Sequence, residues 1–342
     1  MPKKYTVTET WIVNEASPVE STSAEQTYER LPRVSGSLPV LDVPIDFRES
    51  SHFLDEVIVR DFAAHLSGAS RVLDIGTGDG WPLLRIARFF TEAVGIDAAQ
   101  RRVETAQAHA ARLNLTNVTI AKMDGMQLQF EDNSFDGVMA ASAVEQTPNP
   151  LLVLQEVFRV LRPGGKFRVY FESYDNVEKG FTEQVFVTET ADSLGYHYTI
   201  RHGRPPWERS YLVKFAVTPE MQEEFRRLRD LLQRLGSNPA QAREIGQQFL
   251  ERNRAHVTGS SWFELEHFTS LTMKATLEEI GFENVRVSYS AATLAKSVWP
   301  RIQNSGLSDQ QMQELCQGLA DMAVNLDAPV GRGEPLVATK PK

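Results

Sequence analysis

From Phe53 the run FLDEVIVRDFAAHL sets Phe53, Val57, Phe62 and Leu66 near one helical face, and Gly68 follows as a stop. The period then changes. RVLDI (71–75) is a short apolar run closed by glycines, and WPLLRIARFF after it has a helical pattern in which Pro82 is tolerable in a first turn. The same alternation repeats: AVGID (93–97) reads as a buried strand, AAQRRVETAQAHAARLN as a helix, and VTIAK (118–122) as a third strand. FDGVMAA (135–141), the helix LLVLQEVFRVL (151–161), a Pro163-Gly164-Gly165 helix stop and the strand KFRVYFES (166–173) complete the series. Strands alternating with helices through right-handed crossovers predict a doubly wound α/β core with a mostly parallel sheet covered on both faces.

Beyond Tyr174 the rhythm breaks. EQVFVTET, YHYTIRHG and RSYLVKFAVT read as antiparallel strands. They are followed by the helix PEMQEEFRRLRDLLQRLG, with Met221, Phe225, Leu228, Leu232 and Leu235 on one side. A helix at about 240–256, the aromatic segment SSWFELEHF, and the helix SLTMKATLEEIGF stopped at Gly281 come next. The strand ENVRVSY, a helical piece over 307–325 and a last strand EPLVATK follow. The expected division is an irregular N-terminal arm over 1–50, a core over 51–173, and an α+β insertion over 174–268. A return to the sheet over 269–342 carries a helical insertion at 290–332. The two insertions are expected to meet over the carboxyl ends of the parallel strands as a lid or substrate subdomain, and the arm to cover something later in the chain.

Composition narrows the function classes. At 342 residues, with 42% hydrophobic and 24% charged positions, the chain can bury a core, and no apolar run approaches the roughly 18 residues of a membrane helix. The first twenty residues lack the form of a secretory signal, and Cys316 as the single cysteine rules out an internal disulfide or a multi-cysteine metal site, so a cytoplasmic setting is expected. A net charge of −9 disfavours a nucleic-acid partner. No H-E-x-x-H or comparable spacing occurs, so no metal is expected.

The sharpest motif is Val72-Leu73-Asp74-Ile75-Gly76-Thr77-Gly78-Asp79-Gly80, a strand running into a glycine loop. Glycines there allow positive φ and the close approach of a ligand to the backbone. A dinucleotide fingerprint is not completed, because Trp81 stands where close helix packing wants glycine. Asp74 and Asp79 would repel a pyrophosphate and suit an ammonium or sulfonium charge. Asp97, 21 positions after Gly76, can accept both hydroxyls of a ribose. In Met123-Asp124-Gly125-Met126 a carboxylate can accept from an adenine amino group while Met126 packs on the ring. The ligand so described is a nucleoside with a cationic amino-acid tail.

These residues resemble the class I S-adenosylmethionine-dependent methyltransferases, through VLDIGTGDG (72–80), VGID (94–97), MDGMQLQFEDNSFDGVMAASAVEQTPNP (123–150) and the helix into LRPGGKFRVYFES (161–173). The resemblance implies a seven-stranded sheet, S-adenosyl-L-methionine as cofactor, and contacts at Asp74, Gly76, Gly78, Asp97, Asp124 and Met126. Thr77, Ala98 and Gly125 lie in the same loops, and Ser142 and its neighbours would line the methionine end. Where many relatives carry Leu-Glu-His, this chain has Val144-Glu145-Gln146, so any role of that histidine is absent. For the catalytic base, His197, His202, His256 and His267 are weak candidates, the plain alternative being aromatic packing; His109 reads as a solvated helix position. The expected activity is methyl transfer to O, N or C of a small-molecule acceptor. A protein or RNA methyltransferase and a non-catalytic nucleoside-binding scaffold are the rivals. The helix over 219–235 and the antiparallel strands could instead serve a homodimer interface.

Overall fold

The computed structural model describes residues 6–28, 45–177, 180–190, 192–235, 239–288, 291–325 and 335–342. Residues 1–5 and 29–44 of the expected arm, Tyr289 of the expected strand ENVRVSY and 326–332 of the expected helical insertion lie outside them. The chain divides into two compact units, Thr27–Asp175 with Phe268–Lys342, and Met1–Gln26 with Asn176–His267.

The first unit holds a seven-stranded sheet. Its strands are β1 (Arg71–Ile75), β2 (Glu92–Asp97), β3 (Val118–Lys122), β4 (Phe135–Ala141), β5 (Leu161–Tyr170), β6 (Glu283–Val287) and β7 (Pro335–Thr339). They lie in the order β6-β7-β5-β4-β1-β2-β3. β1 to β5 are parallel, and β7 runs antiparallel between β5 and β6. The central strands are buried on both faces, which is why they read as unbroken apolar runs.

Helices cover both sides of this sheet. Leu73, Ile75, Val94, Ile96, Val138 and Ala140 form one core with helices α3 (Pro150–Val160) and α4 (Ser270–Ile280), here numbered after α1 (Ser50–His65) and α2 (Gln100–Arg112). Val72, Ala93 and Met139 form another with Val59, Phe62 and Leu66 of α1 and with Leu83 and Ile86. Local chemistry sets the helix ends. The Asn149 side chain accepts from the Leu152 amide at 3.2 Å with Pro150 in the first turn, and Thr269 with Thr272 closes a capping box ahead of a left-handed Gly281. The Pro163–Gly165 stretch, expected as a helix stop, is a bulge inside β5. The register with β4 jumps from Phe135↔Leu161 to Gly137↔Lys166, and the Gly164 amide donates to the Lys340 carbonyl instead.

Two more helices, α5 (Ala291–Ile302) and α6 (Asp309–Asn325), pack on α1 through Ala291, Ala295, Met312 and Cys316 against Phe53 and Val57. Underneath, a fully buried ionic network ties α1 to β5. Asp61 Oδ2 accepts from Arg168 Nη2 at 2.6 Å and from the Tyr170 hydroxyl, His65 faces Asp61 Oδ1 at 3.2 Å, and Arg168 also donates to Ser288.

The second unit is a five-stranded sheet in the order Val19–Glu20, Val257–Glu266, Pro206–Phe215, Leu194–Gly203, Phe181–Glu189. It is antiparallel except for the first pair. The helices Pro219–Leu235 and Pro239–Arg252 pack on it through Phe225, Leu228, Phe249 and Leu250 against Tyr196, Tyr198, Tyr211 and Phe215. The N-terminal segment departs from the irregular arm expected of it. Val7–Trp11 is helical, continues as a wider turn to Ala16, and buries Ile12 and Val13 in the core of this unit. It carries Glu9 inside as well, where the carboxylate accepts from Arg209 at 2.6 Å and Tyr211 at 2.7 Å. A segment with both apolar and buried charged positions is thus held helical by tertiary partners about 200 residues away. Among the described residues no helix is long and apolar enough to cross a membrane.

Candidate functional site

The loop after β1 is sewn to the end of β2. The Thr77 amide donates to the Ile96 carbonyl at 2.8 Å. Asp97 Oδ2 accepts from the Gly78 amide at 3.0 Å, and its Oδ1 from the Ala99 amide at 2.8 Å. Gly76 (φ 70°) is required twice, by its left-handed backbone and because a Cβ there would collide with the Cβ of Ala143. The segment after β4 therefore lies directly on the glycine loop. At Gly78 (φ 55°) the added Cβ would meet nothing within 4 Å, so the backbone faces open space where a ligand can approach.

Three acids stand at or beside consecutive strand ends, and each has a different environment. Asp74 is 1% exposed, and among the described residues neither of its carboxylate oxygens has a hydrogen-bond partner. Burial pushes its pKa well above the usual carboxylate range, and the charge of Asp97 adds to the shift. Asp97 is raised as well, by burial that outweighs its two backbone donors. Asp124 is exposed, after β3, and its Oδ1 accepts from the Met126 amide at 2.8 Å. Ala98 is exposed beside Asp97, Gly125 is buried against Ile75 and Val153, and Met126 packs on the core below. The Met123 amide donates to the Asp97 carbonyl, which joins the second and third loops.

After β4, Ser142 is exposed and has φ 52°, a left-handed conformation that is uncommon for serine, and it is held there by donation of its amide to the Tyr170 carbonyl at 2.8 Å. Glu145, the middle of the Val-Glu-Gln triplet, is fully buried and accepts from the Glu172 amide at 2.8 Å, so it fastens the segment after β4 to the one after β5. The structure thus gathers Asp74, Gly76, Thr77, Gly78, Asp97, Ala98, Asp124, Gly125, Met126 and Ser142 along the carboxyl edge of one parallel sheet.

Two sequence expectations at this edge are corrected. Asp79 does not offer its charge to a ligand, because Arg102 of α2 pairs with it. His109 is not solvated. It is 7% exposed, and its Nδ1 lies 2.8 Å from the Asp79 carbonyl oxygen, so α2 grips the glycine loop through two side chains on one helical face, about two turns apart. The spacing of Arg102 and His109 along α2 is the signal that could have found this grip. Trp81, in place of the third glycine, packs beside the α1 core, and its indole N–H is buried with no partner among the described residues.

The four histidines weighed as bases all belong to the antiparallel-sheet unit. His197 stacks on Phe186 with ring centroids 4.3 Å apart and contacts the Thr188 hydroxyl at 2.9 Å, and His202 stacks on Trp207 while its Nδ1 meets the Pro205 carbonyl. His256 ends a short turn of helix after Pro239–Arg252. His267 is 4% exposed, and burial, with Arg201 nearby, pushes its pKa down to about 4. A depressed histidine takes up its proton only on unfolding, so its contribution to stability is present above the unfolded value of 6.5 and is lost as pH falls from there toward 4. His267→Phe is expected to flatten that stretch of the pH–stability curve of the chain, as read by chemical denaturation at a series of pH values; an unchanged slope would show that the ring is not buried neutral. Among the described residues no group of three or more His, Cys, Asp or Glu is placed to hold a metal.

Residues 73–169 match the sequence family described as "Methyltransferase domain". A sterol 24-C-methyltransferase of Aspergillus fumigatus is 40% identical over 125 residues, which are 34% of this chain and 33% of that protein. The sterol 24-C-methyltransferase of Saccharomyces cerevisiae is 36% identical over 142 residues, 39% of this chain and 37% of that one. Among solved structures, the CcbJ methyltransferase of Streptomyces caelestis aligns with 84% of this chain and 94% of its own, at 12% identity and a TM-score of 0.47. The chain spans about a third of the length of the curated relatives it matches.

Proposed function

We propose, for a chain that through residues 73–169 belongs to the class I S-adenosylmethionine-dependent methyltransferases, that the protein transfers the methyl group of S-adenosylmethionine to a small-molecule acceptor. The observation that carries the reading is the set of buried polar atoms without partners at the glycine loop, Asp74 Oδ1 and Oδ2 and Thr77 Oγ1, beside the open face of Gly78. Orphaned buried groups of this kind are rare in a finished fold and mark a place where a ligand completes the hydrogen bonding. A cationic amino-acid tail fits there, since it supplies positive charge and further donors where the described residues offer Asp74 only the Thr77 hydroxyl.

In this reading Asp97 accepts the ribose hydroxyls, Asp124 the adenine amino group, and Met126 lies against the ring; Ser142 borders the methionine end. When bound, the cofactor supplies a methyl group already activated by its positive sulfur. The protein's part is to hold donor and acceptor aligned and to exclude water, effects that together can amount to about 7–11 kcal/mol. The acceptor atom is O, N or C, and the sterol 24-C-methyltransferases among the relatives favour carbon.

The test is calorimetric binding of S-adenosylmethionine and S-adenosylhomocysteine, followed by transfer of an isotope-labelled methyl group to sterol-type alkenes set against amine and hydroxyl acceptors. One cofactor per chain and labelled product are expected. A site that takes NAD or ATP and refuses the adenosyl sulfonium would sink the reading.

A further inference from the structure

The unpartnered carboxylate of Asp74 poses a problem that the fold leaves unsolved. An ionised, fully buried carboxylate without a hydrogen bond or counter-ion is strongly disfavoured, and such a group stays neutral until a cation reaches it. Its neighbours supply no cation. In register, Asp74 stands between Gly95 of β2 and Met139 of β4, both uncharged. By strand alternation it shares its face with Val72, the face on which α1, the Leu83–Ile86 turn and β5 residues pack.

Most of the charged groups those elements bring are engaged with one another, and Asp55 of α1, whose pKa burial raises, is an acid and brings no cation. Glu56 of α1 is held by Arg60 and Arg85 at 2.8 Å each, with Arg88 at 3.8 Å, and Asp61 and His65 belong to the network with Arg168 and Tyr170. On the glycine loop Arg102 is matched by Asp79. Among the described residues the ionisable group that acts on Asp74 is Asp97, and it acts against ionisation. Thr77 tempers that effect, yet its own hydroxyl lacks a hydrogen bond by geometry.

We infer that Asp74 is a protonated carboxylic acid in the cofactor-free protein and gives up its proton when the cationic end of S-adenosylmethionine docks, so that binding is coupled to release of one proton. This rests on the assignment of the site to that cofactor. The balance is simple: the carboxyl O–H proton passes to the buffer, and the carboxylate left behind faces the positive charge of the ligand. Between the pKa of the empty site and the lower value with the cation in place, affinity rises with pH, by at most about tenfold per pH unit. Above the pKa of the empty site the dependence disappears. A ligand with the same nucleoside and no cationic tail has nothing to draw the proton off, so the site reads charge as well as shape.

The experiment is titration calorimetry of the full chain with S-adenosylmethionine in buffers of different ionisation enthalpy, repeated from about pH 5 to about pH 9. Adenosine serves as the uncharged probe. The expected result is release approaching one proton per S-adenosylmethionine somewhere in that range, none with adenosine, and none with S-adenosylmethionine on Asp74→Asn. That variant mimics the neutral acid, so the free protein is expected to fold. If it does not, the comparison of the two ligands on the wild-type chain still decides. Binding of S-adenosylmethionine without proton release at any pH, or equal release with adenosine, would overturn the inference and leave the cofactor assignment standing. Failure of S-adenosylmethionine to bind at all would remove the assignment itself.

Discussion

Asp97→Ala is expected to weaken S-adenosylmethionine binding by about a hundredfold or more. Each hydrogen bond from a ribose hydroxyl to a carboxylate is worth about 1.5–3 kcal/mol, and the substitution removes two acceptors at once. It also releases the Gly78 and Ala99 amides, which Asp97 Oδ2 and Oδ1 hold at 3.0 and 2.8 Å, so the glycine loop loses its tie to β2 together with the ligand contact. The effect on folding is separable. Because burial raises the pKa of Asp97 above its unfolded value, its charge is a cost to the free protein: the favourable contribution is complete below the unfolded pKa and is lost as pH rises through the folded one. Asp97→Asn removes that charge but keeps only one of the two backbone acceptors, so the melting temperature near neutral pH should change little while binding falls. Calorimetry and thermal unfolding on the same samples measure the two effects. Undiminished affinity in Asp97→Ala would remove Asp97 from the site.

Much of this edge could be read from the chain because parallel strands buried on both faces leave a plain signature, short apolar runs closed by glycine or an acid. RVLDI, AVGID and FDGVMAA became β1, β2 and β4 with shifts of a residue or none. Elements whose stability comes from distant partners were not legible. The strand Val257–Glu266 reads in the sequence as an aromatic segment, and only its last four residues alternate, buried Phe263 and Leu265 with exposed Glu264 and Glu266. The helix Ala291–Ile302 falls within the helical insertion expected over 290–332, but its own bounds, with Pro300 near its end, are set by contacts with α1. Val7–Ala16 reads as part of an irregular arm, its apolar Trp11, Ile12 and Val13 scattered among polar residues, because nothing nearby in the chain shows that Arg209 and Tyr211 meet Glu9.

The same limit applied to charge. Sequence placed Asp74 and Asp79 side by side as a cation-selecting pair, and spacing could not distinguish the one that Arg102 neutralises from the one left without a partner. Likewise a histidine on an alanine-rich helix looks solvated, and His109 is buried because the carbonyl of Asp79 lies over its ring nitrogen. Which acid keeps an electrostatic demand for a ligand is decided by tertiary pairing, so a motif gives the type of residue and the fold gives its state.

That distinction bears on the largest stability effect expected in the parallel-sheet unit, Asp61→Ala. Asp61 and Arg168 are both fully buried, and truncating one partner leaves the other charge inside without compensation, at a loss of about 3–5 kcal/mol. Burial by itself would raise the Asp61 pKa, but Arg168, with His65 and Tyr170, outweighs it and holds the carboxyl below its ordinary value. Its contribution is thus present above the unfolded pKa and disappears as pH falls through the folded one, and Asp61→Ala should remove that part of the acid limb. The double substitution Asp61→Leu with Arg168→Met should recover most of the loss, because it removes both charges and keeps the volume. Chemical denaturation of the two variants and the unsubstituted chain measures the difference. The consequence also reaches the site: Tyr170 gives its hydroxyl to Asp61 and its carbonyl to the Ser142 amide, so loosening the first bond frees the left-handed turn after β4. If Asp61→Ala costs no more than a surface substitution, Arg168 is not confined as the geometry requires, and this route from α1 to the site does not exist.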